Sequence, residues 1–167
     1  MNKSWIANAV TATNALFGGL SIMMSIQGNF KTAAVFILIA MVADALDGRV
    51  ARALHTAGPM GVELDSLSDD ISFGIAAGAL MYAYQLHELG PLGFIPCALL
   101  GTFCAFRLAR FNVKVTSVHG YFEGLPCPTT GVIVAAYVLS GIKIWNWLAV
   151  LCVLLLAFLM VIEIHYP

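Results

Sequence analysis

The chain is organised by six apolar runs, at residues 6–26, 32–53, 62–84, 92–111, 130–142 (extended backwards past Pro128) and 145–162. Several approach the roughly 20 apolar residues that carry a helix across a bilayer. Backbone polar groups cannot be left unpaired in lipid, so each run is expected to be a helix. With 60% hydrophobic and 10% charged residues and a mean hydropathy of +0.90, a soluble domain is excluded. The expected fold is all-α and integral to the membrane: a bundle of six transmembrane helices forming a single domain over residues 1–167. Turn chemistry separates the runs, at Gly28-Asn29-Phe30, Ala57-Gly58-Pro59, Gly90-Pro91 and the long polar stretch 112–128.

The formal net charge is −1 and no basic or acidic tail is present. A nucleic-acid surface is therefore excluded, and lipids and small polar molecules are the expected partners. Cys97, Cys104, Cys127 and Cys152 are widely spaced, with neither metal-ligand nor disulfide spacing, and read as small hydrophobes. The N-terminal stretch lacks the layout of a signal peptide and is read as mature sequence. If the N-terminus is cytoplasmic, Lys3, Arg49, Arg52, Arg107, Arg110 and Lys114 fall on that side, against Lys31 and Lys143 opposite. The positive-inside rule then places both termini in the cytoplasm. Trp5, Trp145 and Trp147 read as interfacial anchors, and Gly18, Gly19, Ala43, Gly74 and Gly78 as sites of close helix packing.

Every aspartate lies in two stretches, MVADALDGRVAR from Met41 and GVELDSLSDDISFG from Gly61. Asp44 and Asp47 are one short turn apart, Asp65 and Asp69 one slightly long turn, so each pair shares a helix face. A short loop around Gly58-Pro59 makes the two helices antiparallel neighbours, and four carboxylates can converge between them. Near a bilayer such a cluster is costly unless cations or protons neutralise it. Oxygen-only ligation suits a hard divalent ion, Mg²⁺, Mn²⁺ or Ca²⁺. Two ions about 3.5–4 Å apart would form a clamp for displacement at phosphorus. A salt-bridge network, or a proton or cation pathway as in a transporter, would use the same spacing. Gly48 and Ala51 share the stripe of Asp44 and Asp47, Gly61 precedes Asp65 by one turn, and Arg52 can bind a phosphate oxygen. Together they describe a groove for a diphosphate ester. Asp70 is expected to pair elsewhere at the polar end, since it points about 100° away from Asp69 on an ideal helix.

The pattern Asp44-x2-Asp47-Gly48-x2-Ala51-Arg52-x8-Gly61-x3-Asp65-x3-Asp69 resembles the signature of the CDP-alcohol phosphotransferases at all eight defining positions. The resemblance implies transfer of a substituted phosphoryl group from a CDP-linked donor to an alcohol, with release of CMP. It further implies that Asp44, Asp47, Asp65 and Asp69 ligate two divalent ions, with Asp69 also the general base. Gly48, Ala51, Arg52 and Gly61 would shape the CDP site, and a homodimer is expected. The stretches NAVTATN at 8–14, followed by Gly18, RLARFN at 107–112 and GLPCP at 124–128 are similar to the serine-accepting branch of that family. That likeness adds Asn8 and Thr11 to the CDP-lipid site, with CDP-diacylglycerol or CDP-archaeol as donor and L-serine as acceptor. Siblings accepting glycerol phosphate or inositol phosphate are the nearest alternatives. Ala7, where many relatives have proline, departs from the pattern. Serine needs a cation for its carboxylate and an anion or carbonyl for its ammonium; Arg107 and Arg110 suit the first, Glu123 or a loop carbonyl the second. His55 and His119 read as loop histidines, and Ser66, Ser68 and Ser72 as packing groups.

Overall fold

In the computed structural model, which describes residues 4–54, 58–114, 122–162 and 165–166, the six apolar runs become six helical units. They are α1 (Ser4–Ile26), α2 (Phe30–Leu54), a composite third unit, α5 (Pro91–Lys114), α6 (Cys127–Ser140) and α7 (Asn146–Val161). The third unit consists of α3 (Pro59–Asp69), a π-helical segment (Asp70–Ile75) and α4 (Ala76–Tyr84), and a 3₁₀ turn (Leu86–Leu89) follows it. A continuous third helix was the expectation from the apolar run. Instead the helix widens into a π turn directly after Asp69, a local form that recurs at functional sites. The only other regular structure among the described residues is a two-residue antiparallel pairing, Phe122 with Tyr166 and Glu123 with His165.

The third unit is the central strut. Its π segment and α4 pack against α1, α2, α5 and α6, while α7 lies outside, mainly against α5. Phe73, Leu80, Ile37 and Leu100 are fully buried around it. Two close approaches make this possible. A Cβ on Gly18 would lie 2.4 Å from Ser72 Oγ, and one on Gly78 would lie 2.4 Å from the Cys97 carbonyl. Gly19 differs from the packing role expected for it, since nothing lies within 4 Å of its Cβ position.

Polarity is arranged inside-out. Trp5, Ile26, Phe106, Leu151 and many other large apolar side chains face outward, whereas Thr11, Asn14, Ser21, Asp47, Asp69, Ser72, Gln85 and Thr130 are buried. An apolar surface around a polar interior suits lipid as solvent. Two stretches, Asn8–Ile26 and Pro91–Val113, are long and apolar enough to cross a membrane. The other units fall short for visible reasons. α2 carries Lys31, Asp44, Asp47, Arg49 and Arg52, the third unit is broken by its π turn, and α6 and α7 have 14 and 16 residues.

The end of the bundle remote from the aspartates is closed by a satisfied polar clamp. Gln85 Nε2 donates to the Ile144 carbonyl at 2.6 Å and to Asn146 Oδ1 at 2.9 Å. The Tyr137 hydroxyl donates to Gln85 Oε1 and accepts the Ile144 N–H, and Asn146 Nδ2 donates to Glu88 at 2.9 Å. A fully partnered buried network rigidifies this end.

Gly78→Val must push α4 from α5 because the obstructing atom is backbone. A loss of about 1–3 kcal/mol, or an apparent melting temperature lower by roughly 4–8 °C, is expected by thermal unfolding in detergent. Gly19→Ala should leave the melting temperature unchanged or slightly raised.

Candidate active site

The site is built where the C-terminal half of α2, the whole of α3 and the N-terminal half of α1 meet. Pro59 starts α3 at its first turn, where its missing N–H costs nothing, and returns the chain antiparallel to α2. Asp44, Asp47 and Asp65 thereby converge, each offering an oxygen within 4.8 Å of the others. Asp47 is buried and the other two are half-buried. Asp47 Oδ2 and Asp65 Oδ1 are buried with no hydrogen-bond partner. Unpartnered carboxylate oxygens facing one another repel strongly away from water, and a hard cation satisfies them all. The three residues thus fit a divalent ion.

Asp69 lies against this trio, its carboxylate hydrogen-bonded to that of Asp44. It is in electrostatic contact with Asp44 and Asp65, and one of its oxygens, Oδ1, accepts a hydrogen bond from Asn14 Nδ2 at 3.1 Å. Of the four carboxylates expected to converge, three offer oxygens within 4.8 Å of one another, and the fourth, Asp69, meets Asp44 on one side and Asn14 of α1 on the other.

The α1 residues expected at the donor site lie against it. The Thr11 hydroxyl is hydrogen-bonded to the Asp47 carboxylate. Asn8 Oδ1 lies 3.9 Å from where a Gly61 Cβ would be, so Gly61 keeps α3 open beside Asn8. Gly48 is half-buried on α2 between the aspartates and the helix end. Ala51 and Arg52 fall in the last turn of α2, and their side chains lie outside the described residues, as do His55 and His119.

Arg107 and Arg110 separate. Arg107 is half-buried and donates from Nη1 to Cys127 Sγ at 3.8 Å, while its Nε is buried without a partner. Arg110 is exposed and donates to the Val161 carbonyl at 3.2 Å, tying α5 to α7. Glu123 contributes its backbone to the short pairing with His165; its side chain is outside the described residues. Asp70 does not pair at the polar end as expected. It turns into the interface with α5, where its carboxylate is hydrogen-bonded to Cys104. The π turn beginning at Asp70 aims it there. Ser66 and Asn112 hydrogen-bond each other at 3.0 Å across α3 and α5, and Ser72 donates to the Asn14 carbonyl at 2.9 Å. The packing role expected for those serines is what the contacts describe.

Asn14 entered the sequence reading only through its place in the stretch 8–14 that is similar to the serine-accepting branch, without a contact to Asp69. The signal was present. Asn8, Thr11, Asn14, Gly18, Ser21 and Ser25 recur every three or four residues on α1, a polar and small stripe on an apolar helix, which must face the interior.

This fold and site define a class. A family model of CDP-alcohol phosphatidyltransferases matches residues 4–162, and the chain belongs to that family. Among curated proteins, it is 36% identical over 167 residues to the CDP-diacylglycerol–serine O-phosphatidyltransferase of Helicobacter pylori (strain ATCC 700392 / 26695), covering 96% of this chain and 70% of that protein. It is 35% identical over 173 residues to the archaetidylserine synthase of Methanothermobacter thermautotrophicus, covering 97% and 69%. Over 129 residues it is 35% identical to the CDP-diacylglycerol–serine O-phosphatidyltransferase of Bacillus subtilis (strain 168), covering 77% and 72%.

Asp47→Asn and Asp65→Asn each remove a charge from the convergent trio. Mn²⁺ affinity, read by isothermal titration calorimetry, should fall roughly tenfold or more in each. Glu63→Gln, an exposed acidic residue on the same helix, should leave it unchanged.

Proposed function

We propose that the chain transfers the phosphatidyl or archaetidyl group of a CDP-linked lipid to the hydroxyl of L-serine, releasing CMP. The observation that carries this reading is the convergence of Asp44, Asp47 and Asp65, with Asp69 alongside, at one end of a bundle whose outer surface is apolar. Such a site meets a diphosphate at the membrane surface while the lipid tails remain among the helices. The names of the relatives supply the acceptor.

Asp44, Asp47 and Asp65, with Asp69 against Asp44 as the fourth expected ligand, would hold divalent metal, with Mg²⁺ or Mn²⁺ the fitting ions and two ions the family expectation. When bound, the metal supplies charge that offsets the diphosphate and the departing CMP. The protein's own groups do the rest. Gly48, Ala51 and Gly61 leave the approach to the carboxylates open, Asn8 and Thr11 border the donor from α1, and Arg52 binds a phosphate oxygen. Asp69 accepts the proton of the serine hydroxyl as that oxygen attacks the phosphorus bearing the lipid. The bond from this phosphorus to the oxygen bridging it to the cytidylyl phosphate breaks, and CMP leaves with the electron pair. Arg107, with its unpartnered Nε, receives the serine carboxylate, and Arg110 supports the charge of that end. Glu123 receives the ammonium.

The six helical units are read as six membrane passes, with both termini and the site on the cytoplasmic side as the positive charges favour. A homodimer is the expected assembly. An ion transporter would make no use of Gly48, Gly61 or Arg52, and an acceptor bearing a phosphate would call for further cations.

Purified protein should release CMP from CDP-diacylglycerol only when serine is present, and glycerol phosphate or inositol phosphate should not replace it. Serine-independent turnover, or preference for a phosphorylated acceptor, would overturn the reading. Chelation with EDTA should abolish release and added Mn²⁺ or Mg²⁺ restore it. Arg107→Met should raise KM for serine by about 10–100-fold, the weight of a charge-assisted hydrogen bond of about 1.5–3 kcal/mol, with CDP-lipid binding unchanged.

A further inference from the structure

We infer that Asn14 is a positioning residue for the proton-accepting carboxylate of Asp69, an inference that rests on the role of Asp69 under the proposed function. Asn14 is fully buried in α1. A carboxylate only accepts hydrogen bonds, so the amide must turn its NH₂ to Asp69, and Nδ2 does donate to Asp69 Oδ1 at 3.1 Å. That orientation leaves Asn14 Oδ1 buried without a partner. An amide present only to complete the packing would satisfy both ends or give way to an apolar side chain. Here one end is satisfied at the expense of the other, and the satisfied end is the one touching the site.

A second contact fixes the amide's own position. Ser72, on the π turn three residues beyond Asp69, donates to the backbone carbonyl of Asn14 at 2.9 Å. Gly18, one turn further along α1, lets the helices approach closely enough for this bond, because a Cβ there would fall 2.9 Å from Ser72 Cα. Helix α1 therefore holds the third unit twice, at Asp69 by side chain and at Ser72 by backbone. Oδ1 of Asp69 accepts the Asn14 hydrogen bond and the carboxylate also meets that of Asp44 through a hydrogen bond, so the group is held between α1 and the interior of the site. Proton transfer in the transition state depends on that placement.

The test uses the full chain in detergent with Mn²⁺, CDP-diacylglycerol and serine. Asn14→Ala removes the amide; Asn14→Asp keeps its size but replaces the donor with an acceptor. For each variant that folds, kcat should fall by roughly 100-fold, the cost of a misplaced catalytic group. The affinity for CDP-diacylglycerol and the KM for serine should stay within about threefold, a factor worth less than about 1 kcal/mol. The D₂O isotope effect on kcat should rise, because proton transfer then limits turnover more fully, and a purely structural role would not move it. A kcat near the wild-type value, or loss of donor affinity in step with kcat, overturns the inference. So does failure of both variants to fold, which would assign Asn14 to the framework. Asp69→Asn, assayed in parallel, separates the two claims. If it turns over normally, the role of Asp69 falls and this inference with it; if it is inactive while the Asn14 variants are normal, only the inference falls.

Discussion

Mutual repulsion among carboxylates held in an apolar bundle is the constraint on which the rest of the structure depends. Asp44, Asp47 and Asp65 bring oxygens within 4.8 Å of one another, and away from bulk water three like charges at that range are costly unless cations or protons neutralise them. The start of α3 at Pro59, the polar stripe of α1 and the widened turn after Asp69 all border this cluster. Thr11 hydrogen-bonds Asp47 and Asn14 hydrogen-bonds Asp69, so α1 supplies neutral donors where further acidic groups would add repulsion. The cluster is costly to the fold and useful to a diphosphate reaction for the same reason, its excess of negative oxygen.

The two ends of the bundle divide the work. At the far end Gln85, Tyr137, Ile144, Asn146 and Glu88 satisfy one another across three chain segments. At the site end, Asp47 Oδ2, Asp65 Oδ1, Asn14 Oδ1 and Arg107 Nε are buried without partners. Groups that can bind a ligand are concentrated where the structure leaves polar atoms unsatisfied, and the clamp opposite holds the helices that present them. Membership of the CDP-alcohol phosphatidyltransferase family agrees with this division.

Much of this was legible in the residues. Apolar runs located all six helical units, because hydrophobic length is a strong signal in lipid. The spacing of Asp44, Asp47 and Asp65 on two helices joined by Gly58-Pro59 was enough to bring them together. Finer features depended on side-chain geometry across helices. No propensity marks the π turn at Asp70–Ile75, and without it Asp70 could not be placed against Cys104. Asp69 was expected with the carboxylate cluster, and it meets Asp44 there, but its second partner is on α1, fifty-five positions away in sequence. Arg107 and Arg110 looked equivalent until α6 and α7 were in place, one meeting Cys127 and the other the Val161 carbonyl. Asn14 showed only within the branch-like stretch 8–14, a likeness that says nothing of which side chain it meets.

The central claim, that the convergent aspartates form the cation site with Asp69 held by Asn14 at its edge, is tested most directly by locating the ion. Crystals or crystalline mesophase preparations soaked in Mn²⁺ should give an anomalous-difference peak bounded by oxygens of Asp44, Asp47 and Asp65, with the Asn14 hydrogen bond to Asp69 still made. A peak centred on Asp69 with that hydrogen bond broken, or no peak among the aspartates at millimolar Mn²⁺, would contradict it.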